Sequence, residues 1–387
     1  MDTSADARQV PPRAVDLRHA RLPEVEIMAA MAYDFLMSLH VAVASPEFDY
    51  ADYDVGRAWV ESARARCAAH DAAALALLDR YFGSSVPGAL HATLISLVVD
   101  APPPRDVEDF LGSLAHMPIG RFVEALLDQD GLGDDWQKLL AAVLAAHEAG
   151  PHADDAQNPA SRLLDRFAAE AQPTVMAILR DPEGARDELV AALRVWNEAV
   201  ISGERERVLP LIQREAAVLE RQRAEMPPDR FIKVAMRGVE WQRPAGLRQI
   251  VFAPSYYCRP AVYYHFWRGA LTFCLPVEAD VLEGAQPAAD PRAPGEEILR
   301  FFEALGDDTR LRILRLLAER EMYLTELAEH LGLTKATTKH HMVRLRAAGC
   351  VTLYDRDRMT YYALRNDIPR RAAQLMQDYL GRSPKRA

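Results

Sequence analysis

Hydrophobic residues recur at helical spacing through most of the first 225 positions. Apolar side chains fall three or four residues apart in successive segments, and Gly or Pro separates one segment from the next. No repeat of fixed period is present, so the pattern does not support a solenoid. We therefore expect residues 1–225 to form a helical domain that buries a core of its own. The predicted helices cover 25–43, 55–68, 72–81, 90–99, 107–114, 119–127, 134–147, 159–171, 185–202 and 205–225.

Near residue 230 the pattern changes to short runs of aromatic and β-branched residues. Residues 247–253 (LRQIVFA) predict a strand, and residues 262–267 (VYYHFW) and 270–275 (ALTFCL) predict a hairpin. We expect a small antiparallel sheet within residues 226–283, packed on the helical domain. Residues 284–295 (GAQPAADPRAPG) have little capacity to form a core, so they predict a linker.

The last quarter of the chain has the pattern of two helices joined by a tight turn. Residues 324–331 (LTELAEHL) predict a short amphipathic helix that Gly332 ends, and a second helix follows over 335–348 and ends at Gly349. This order is typical of a helix-turn-helix. The β-prone runs 351–354 and 359–364 then predict a hairpin, or wing. We expect residues 296–387 to be a winged helix-turn-helix DNA-binding domain, and the whole chain to be mainly α with small β.

Three stretches of this segment resemble the ArsR-type family of bacterial transcriptional regulators. They are residues 304–314 (ALGDDTRLRIL), 326–334 (ELAEHLGLT) and 340–349 (HHMVRLRAAG), and the wing strand with Tyr361 and Tyr362 matches as well. The resemblance stops at the C-terminal module. It implies a repressor that binds double-stranded DNA as a homodimer. The two copies would contact each other through the helices that flank the module, at 296–305 and 369–380. The N-terminal domain would then serve for sensing or interaction.

The second helix of the module presents polar side chains on one face. Thr334 stands where a hydroxyl caps a helix, and Met342 and Leu345 fall on the face expected to pack inward. Positive and hydrogen-bonding side chains near a helix N-terminus suit phosphate contacts and base-edge readout, and arginines on a wing suit the minor groove. For Arg344 the alternative is a helix cap, and for the wing arginines a self-paired turn. The predicted DNA-binding residues are Lys335, Ala336, Thr337, Lys339, His340, Arg344, Arg356 and Arg358.

Charge is divided unevenly along the chain. The chain carries 46 basic and 56 acidic residues, a formal net charge of −10. Residues 296–387 hold 17 basic and 13 acidic residues, which leaves 29 basic and 43 acidic residues in the first 295. A basic module attached to an acidic body is typical of a DNA-binding protein with a second, non-DNA-binding domain. The acidic body argues against a role at a membrane surface.

Metal ligands are missing at the positions where the metal-sensing relatives carry them. The resemblance places Tyr323 and Thr325 at the Cys-x-Cys pair of one branch, and neither side chain is a soft-metal ligand. Residues 367–378, where a second branch has Asp and His ligands, contain no histidine. We expect no metal and no other cofactor.

The compartment follows from the cysteines and the N-terminus. The four cysteines are scattered, the first residues lack the features of a signal peptide, and no run of about 18 apolar residues predicts a membrane span. We expect a cytoplasmic protein.

The predicted hairpin concentrates unusual side chains. Alternation places Tyr263, His265 and Trp267 on one face of the sheet and Tyr264 and Phe266 on the other. A face with Tyr, His and Trp suits a ligand or partner site, and the alternative is plain packing of the sheet against helices. The candidate patch comprises Tyr256, Tyr257, Tyr263, His265 and Trp267.

No arrangement of catalytic residues is present. The chain lacks Gly-x-Ser-x-Gly, a phosphate-binding Gly-rich loop and His-Glu-x-x-His, so we predict no catalytic residues and no enzyme. Two alternatives to a regulator stay open: an enzyme domain fused to a DNA-targeting module, and a winged helix reused for protein contacts. The basic residues of the second helix and wing favour DNA.

Overall fold

The computed structural model describes most of the chain. The described residues are 22–43, 53–82, 90–127, 171–237, 246–278, 294–356, 359–365 and 367–381, with short pieces at 138–139, 141–143, 163–165, 167, 169, 239 and 281–282. Most of the predicted helices over 134–147 and 159–171, most of the linker and Arg358 lie outside the described residues.

The first part of the chain is a bundle of short helices preceded by one strand. Helix α8 continues through a π-helical turn, Asn197–Ile201, before α9 begins. No helix of the described part is long and apolar enough to cross a membrane. The elements are β1 (Glu24–Ile27), α1 (Met31–Val43), α2 (Gly56–His70), α3 (Ala72–Phe82), α4 (Leu90–Leu97), α5 (Val107–Ala115), α6 (Ile119–Leu127), α7 (Gln172–Arg180), α8 (Pro182–Trp196), α9 (Arg205–Glu225) and α10 (Pro228–Ala235).

The predicted helix over 25–43 is wrong in its first part, where the chain forms β1. Val25 and Ile27 alternate with glutamates, which is the period of a strand rather than of a helix. The backbone of β1 hydrogen-bonds to the chain near residue 250: Glu24 N donates to Arg248 O at 2.8 Å and Met28 N to Phe252 O at 2.9 Å. Pairing with a buried strand therefore decides the conformation of this segment.

The small sheet is mixed, not antiparallel as predicted. Its strands are β1, β2 (Gln249–Ser255), β3 (Tyr263–Trp267) and β4 (Ala270–Pro276), in the order β1-β2-β4-β3. The predicted hairpin of β3 and β4 is confirmed as antiparallel. However, β4 lies between β2 and β3 and is parallel to β2, and β1 is also parallel to β2. The hairpin thus joins β2 through its second strand, which the local sequence pattern does not specify.

The sheet is covered on both faces. Val251, Trp267 and Cys274 belong to the core shared with the helices, whereas Phe252 and Phe273 form a second core with α10. The predicted alternation is confirmed, because Tyr263 packs on the first core and Tyr264 and Phe266 on the second. Since β1 comes from the first 225 residues, the sheet draws on both sides of the domain boundary that we predict at 225/226.

The C-terminal module is a winged helix with its own core. Phe301, Ile313, Leu327, Met342 and Leu345 are among the residues that fill this core. The second sheet has the order β5-β7-β6, with all its strands antiparallel. The mainly α fold with small β is confirmed. The elements are α11 (Glu296–Leu305), α12 (Asp308–Glu319), β5 (Met322–Tyr323), α13 (Leu324–Leu331), α14 (Lys335–Ala347), β6 (Val351–Arg356), β7 (Met359–Leu364) and α15 (Ile368–Gly381).

Asp34 of α1 fixes the chain where it leaves β2. The side chain is fully buried. Its Oδ1 accepts hydrogen bonds from Ser255 Oγ at 2.7 Å, Tyr256 N at 2.8 Å and Tyr257 N at 3.2 Å. Its Oδ2 is buried with no hydrogen-bond partner among the described residues. Burial raises the pKa of Asp34 to about 6, although these hydrogen bonds oppose the shift.

Replacing Asp34 by Asn is expected to change the pH dependence of stability. A raised carboxyl pKa contributes stability at low pH that is lost as pH rises through about 6, whereas an amide does not ionise. From pH 5 to pH 7.5, the free energy of unfolding of Asp34→Asn should therefore rise by about 1–1.5 kcal/mol relative to wild type. Urea denaturation at both pH values measures this change. Asp181→Asn, which alters the cap of α8, is the control, and an equal difference at both pH values would contradict the prediction.

Candidate nucleic-acid interface

Helix α14 begins with a capped and exposed first turn. The Thr334 hydroxyl accepts a hydrogen bond from Thr337 N at 3.1 Å, which confirms the predicted cap. In the turn before α14, Gly332 ends helix α13 with a φ of 68°, in the left-handed region where glycine carries no steric penalty. Unpaired N–H groups and the helix dipole make such a helix start attractive to phosphate.

The predicted DNA-contacting side chains of α14 lie on its solvent side. Lys335, Ala336 and Thr337 are exposed, and Lys339 and His340 are partly exposed. Arg344 is also exposed, one turn further on. These exposures are those of the chain with body and module together, so the described part of the body does not cover the first turn of α14.

The opposite face of α14 packs inside the module. Thr338, Met342 and Leu345 are buried there. His341 is mostly buried, and its Nδ1 lies 3.7 Å from Oδ1 of Asp307, which caps α12. Burial lowers the pKa of His341, which favours the neutral form of the ring. This face fixes the orientation of α14 and leaves DNA contact to the other one.

The wing is a hairpin of β6 and β7 that β5 extends. Tyr323 of β5 pairs with Tyr361 of β7, and their ring centroids are 6.0 Å apart. Arg356 is the last residue of β6, and its side chain and Arg358 lie outside what the structure describes. Their role as DNA contacts stays a prediction.

The C-terminal end of α14 contacts other parts of the chain instead of solvent. The guanidinium of Arg346 donates to the carbonyl oxygen of Val262, at the start of β3. Arg371 of α15 donates to the carbonyl oxygens of Ala348 at 3.0 Å and Gly349 at 3.3 Å, and so satisfies the end of the helix. One end of α14 is therefore open, and the other is held.

A carboxylate joins the body to the module beside this end of α14. Asp54 Oδ2 accepts from Arg259 Nε at 2.9 Å and from Arg300 of α11 at 2.7 Å. Arg259 is only 3% exposed. Sequence reasoning missed Asp54, Arg259 and Arg300 as a set, because Asp54 is more than 200 residues from either arginine and no motif connects them.

The residues of the aromatic patch lie in packing contacts, among them a T-shaped contact of Tyr256 with Tyr257, whose ring centroids are 5.3 Å apart. Tyr257 is buried with its ring 4.8 Å from that of Trp59, and the guanidinium of Arg207 lies 4.4 Å above the ring of Tyr256. The Tyr263 hydroxyl bonds to that of Tyr53.

The other two residues of the patch are also enclosed. His265 is buried, with Nδ1 2.8 Å from Ser96 Oγ, and burial lowers its pKa to about 4. Trp267 is buried with arginines 121 and 268 over its ring. This geometry favours packing over a ligand site.

The two residues that the resemblance aligns with a Cys-x-Cys metal site are a tyrosine and a threonine. Tyr323 and Thr325 lie where β5 meets the start of α13. Among the residues that the structure describes, no three His, Cys, Asp or Glu side chains are close enough together to hold a metal ion.

Comparison with known proteins identifies the module. The family described as "Bacterial regulatory protein, arsR family" matches residues 307–352. The HTH-type transcriptional regulator CmtR of Mycobacterium bovis is 37% identical over 81 residues, which are 21% of this chain and 69% of that protein. The chain belongs to the arsR family. Within this arsR-family protein the match covers α12, the helix-turn-helix and the first residues of the wing.

Two other relatives extend the comparison. The transcriptional repressor SdpR of Bacillus subtilis is 27% identical over 81 residues, 21% of this chain and 90% of that protein. The cadmium resistance transcriptional regulatory protein CadC of Listeria innocua is 33% identical over 67 residues, 17% of this chain and 56% of that protein. No solved structure matches the chain. These likenesses concern the arsR-family module, and the large body has to be interpreted from its own residues.

Proposed function

We propose that this arsR-family protein is a transcriptional repressor that binds double-stranded DNA through the first turns of α14 and the wing. The observation that carries the proposal is the solvent-facing start of α14, where Lys335 and Thr337 are exposed and Lys339 and His340 are partly exposed. Side chains of this kind near a helix start suit phosphate contacts and base-edge readout. In this proposal Arg344 and the wing arginines, Arg356 and Arg358, contact flanking phosphates.

The body of the protein, residues 1–283, supplies sensing or interaction rather than catalysis in this proposal. It contacts the module through Arg300 and Arg346, so a change in the body has a physical route to α14. The sequence offers no nucleophile–base motif in the body. The second candidate function is a winged helix that binds another protein. The two lysines of α14, Lys335 and Lys339, favour DNA as the partner.

We propose that regulation does not depend on a transition metal bound at the module. One relative is named for cadmium resistance. In this chain Tyr323 and Thr325 stand at the thiolate positions, and neither a phenol nor a hydroxyl is a good ligand for a soft metal.

A homodimer is part of the proposal. Helices α11 and α15 leave large apolar side chains in solvent: Leu299 is 47% exposed, Met376 and Tyr379 38%, and Leu380 67%. Phe301 of α11, in contrast, is buried in the module's own core and is not available to a partner. A second copy that covers this surface would place two α14 helices in successive major grooves, about 34 Å apart.

Replacing Lys335 and Lys339 together by Ala is expected to weaken DNA binding and its salt dependence. The slope of log K against log salt should fall by about one for each lost phosphate contact. Fluorescence anisotropy with a duplex selected from random sequence measures the slope. The matched control is Arg315→Ala with Arg370→Ala, two exposed cations elsewhere in the module. An unchanged slope in the lysine variant would remove these residues from the interface.

Zinc and cadmium ions are expected to leave DNA binding unchanged. We expect this because Tyr and Thr at the thiolate positions give a soft metal no ligand through which it could act on α14. Titration of each ion into the protein–duplex complex, with the metal content of the dialysed protein measured in parallel, tests this. Stoichiometric, tight binding that lowers DNA affinity would overturn it.

Charges placed on the exposed side of α15 are expected to dissociate the dimer. Met376→Glu with Leu380→Glu buries two carboxylates in the proposed interface, which is unfavourable without partners. Light scattering at micromolar concentration should give the mass of a monomer for this variant and of a dimer for wild type. Ala373→Glu with Gln377→Glu adds the same charge at other exposed positions of α15 and should stay dimeric. A monomeric wild-type protein would contradict the proposal.

A further inference from the structure

A large cavity separates the body from the winged helix. Its volume is about 780 Å³, within the range of small-molecule sites. Residues of α10 and the ends of β3 and β4 form the wall on the body side. The module contributes α11, the C-terminal end of α14 and the start of α15. A molecule in this cavity would therefore touch both the body and the recognition helix.

The walls of the cavity are strongly basic. Seven of the lining residues are Lys or Arg and three are Asp or Glu. This is the reverse of the body as a whole, where acidic residues outnumber basic ones. Cations gathered around one space repel one another unless negative charges compensate them, so the carboxylates near these walls decide whether the cavity attracts an anion.

Five of the seven cations are balanced by carboxylates. Arg237 contacts Glu215 at 2.6 Å and Glu278 at 3.1 Å. Arg365 contacts Asp367 at 2.8 Å. The remaining three arginines, 259, 300 and 371, share Asp54 and Glu297.

Lys233 and Arg346 leave the cavity with a positive excess. The contact of Arg346 is the neutral carbonyl oxygen of Val262, and Lys233 is exposed at the rim. Among the described residues, five carboxylates, three in the lining and two behind it, compensate seven cations and leave a net charge of +2. A ligand with two negative charges would neutralise it.

The chemistry of the walls selects an oxyanion. A guanidinium presents planar, paired N–H donors that match carboxylate and phosphate oxygens, and such bonds are stronger than bonds to neutral acceptors. The residues at the C-terminal end of α14 line this cavity, and the carbonyl oxygens of a helix end repel an anion. Arg371 already donates to the carbonyls of Ala348 and Gly349, so that repulsion is offset.

We propose that this cavity binds a small molecule bearing carboxylate or phosphate groups, and that its occupancy lowers the affinity of the protein for DNA. The proposal rests on the proposed DNA-binding function and names the class of its effector. A guanidinium binds an anionic oxygen more strongly than it binds a neutral carbonyl oxygen, so the ligand draws Arg346 away from the carbonyl of Val262. It also adds negative charge beside the helix that meets the DNA phosphates. Both effects act on α14.

Calorimetric titration of the full-length protein with pyrophosphate and with citrate tests the binding site. We expect one of these probes to bind with one molecule per chain, and Lys233→Glu to weaken it by about tenfold or more, the loss expected for one charged partner. Arg230→Glu makes the same charge change one turn earlier on α10, outside the cavity lining, and should leave binding unchanged. Absence of binding by both probes, or equal weakening by the two variants, would overturn the site.

DNA binding in the presence of the bound probe tests the coupling. At constant ionic strength the probe should weaken binding to the selected duplex by about fivefold or more, and Lys233→Glu should abolish this effect. If the protein binds DNA but no anion changes its affinity, this inference fails and the proposed function stands. If it binds no duplex, the proposed function fails whatever the anion does. If Lys233→Glu lowers the salt dependence of DNA binding when no anionic probe is present, the cavity itself contacts DNA and the inference is wrong.

Discussion

The placement of the DNA-binding module depends on one shared carboxylate. Asp54, just before α2, accepts hydrogen bonds from Arg259 in the loop after β2 and from Arg300 in α11. Arg259 is almost completely buried, and a buried guanidinium without its carboxylate is costly. The body therefore needs Asp54 for its own loop, and the same oxygen atom holds the module. Because Arg259 and Arg300 share this carboxylate, the fold itself, and not the linker, sets the position of the module relative to the body.

A second contact between the body and the module makes the two ends of α14 different. Its C-terminal end lies against the body through Arg346, while Lys335, Thr337 and Lys339 face outward. A helix held at one end and open at the other can meet DNA and still respond to the body. The loop that carries Arg259 begins at Tyr256 and Tyr257, whose N–H groups Asp34 binds. The buried core of the body and the DNA-binding helix are thus connected through a few polar contacts.

The sequence was sufficient to predict the parts of the fold that depend on local pattern. Helix α9 begins and ends where its apolar spacing predicts, and the cap at Thr334 and the turn at Gly332 follow from residue type. Gly349 has a φ of 64°, and a side chain there would also collide with Arg371. The predictions that were wrong concern pairing between segments that are far apart in the sequence. Val25 and Ile27 form a strand because β2 lies beside them, and β4 lies between β2 and β3 for reasons that no short window of sequence contains. The exposed face of α14 was predictable, whereas the contacts of Asp54 and Arg346 and the basic cavity they border were not.

In the proposed function the open end of α14 meets DNA while the body stays clear of it. The chain has five lysines, at 138, 233, 335, 339 and 385, so acetylation followed by mass spectrometry can measure the reactivity of each one with and without a selected duplex. The account predicts that the duplex slows acetylation of Lys335 and Lys339 and leaves Lys138 and Lys233 unchanged. Slower acetylation of Lys233 with no change at Lys335 and Lys339 would contradict it.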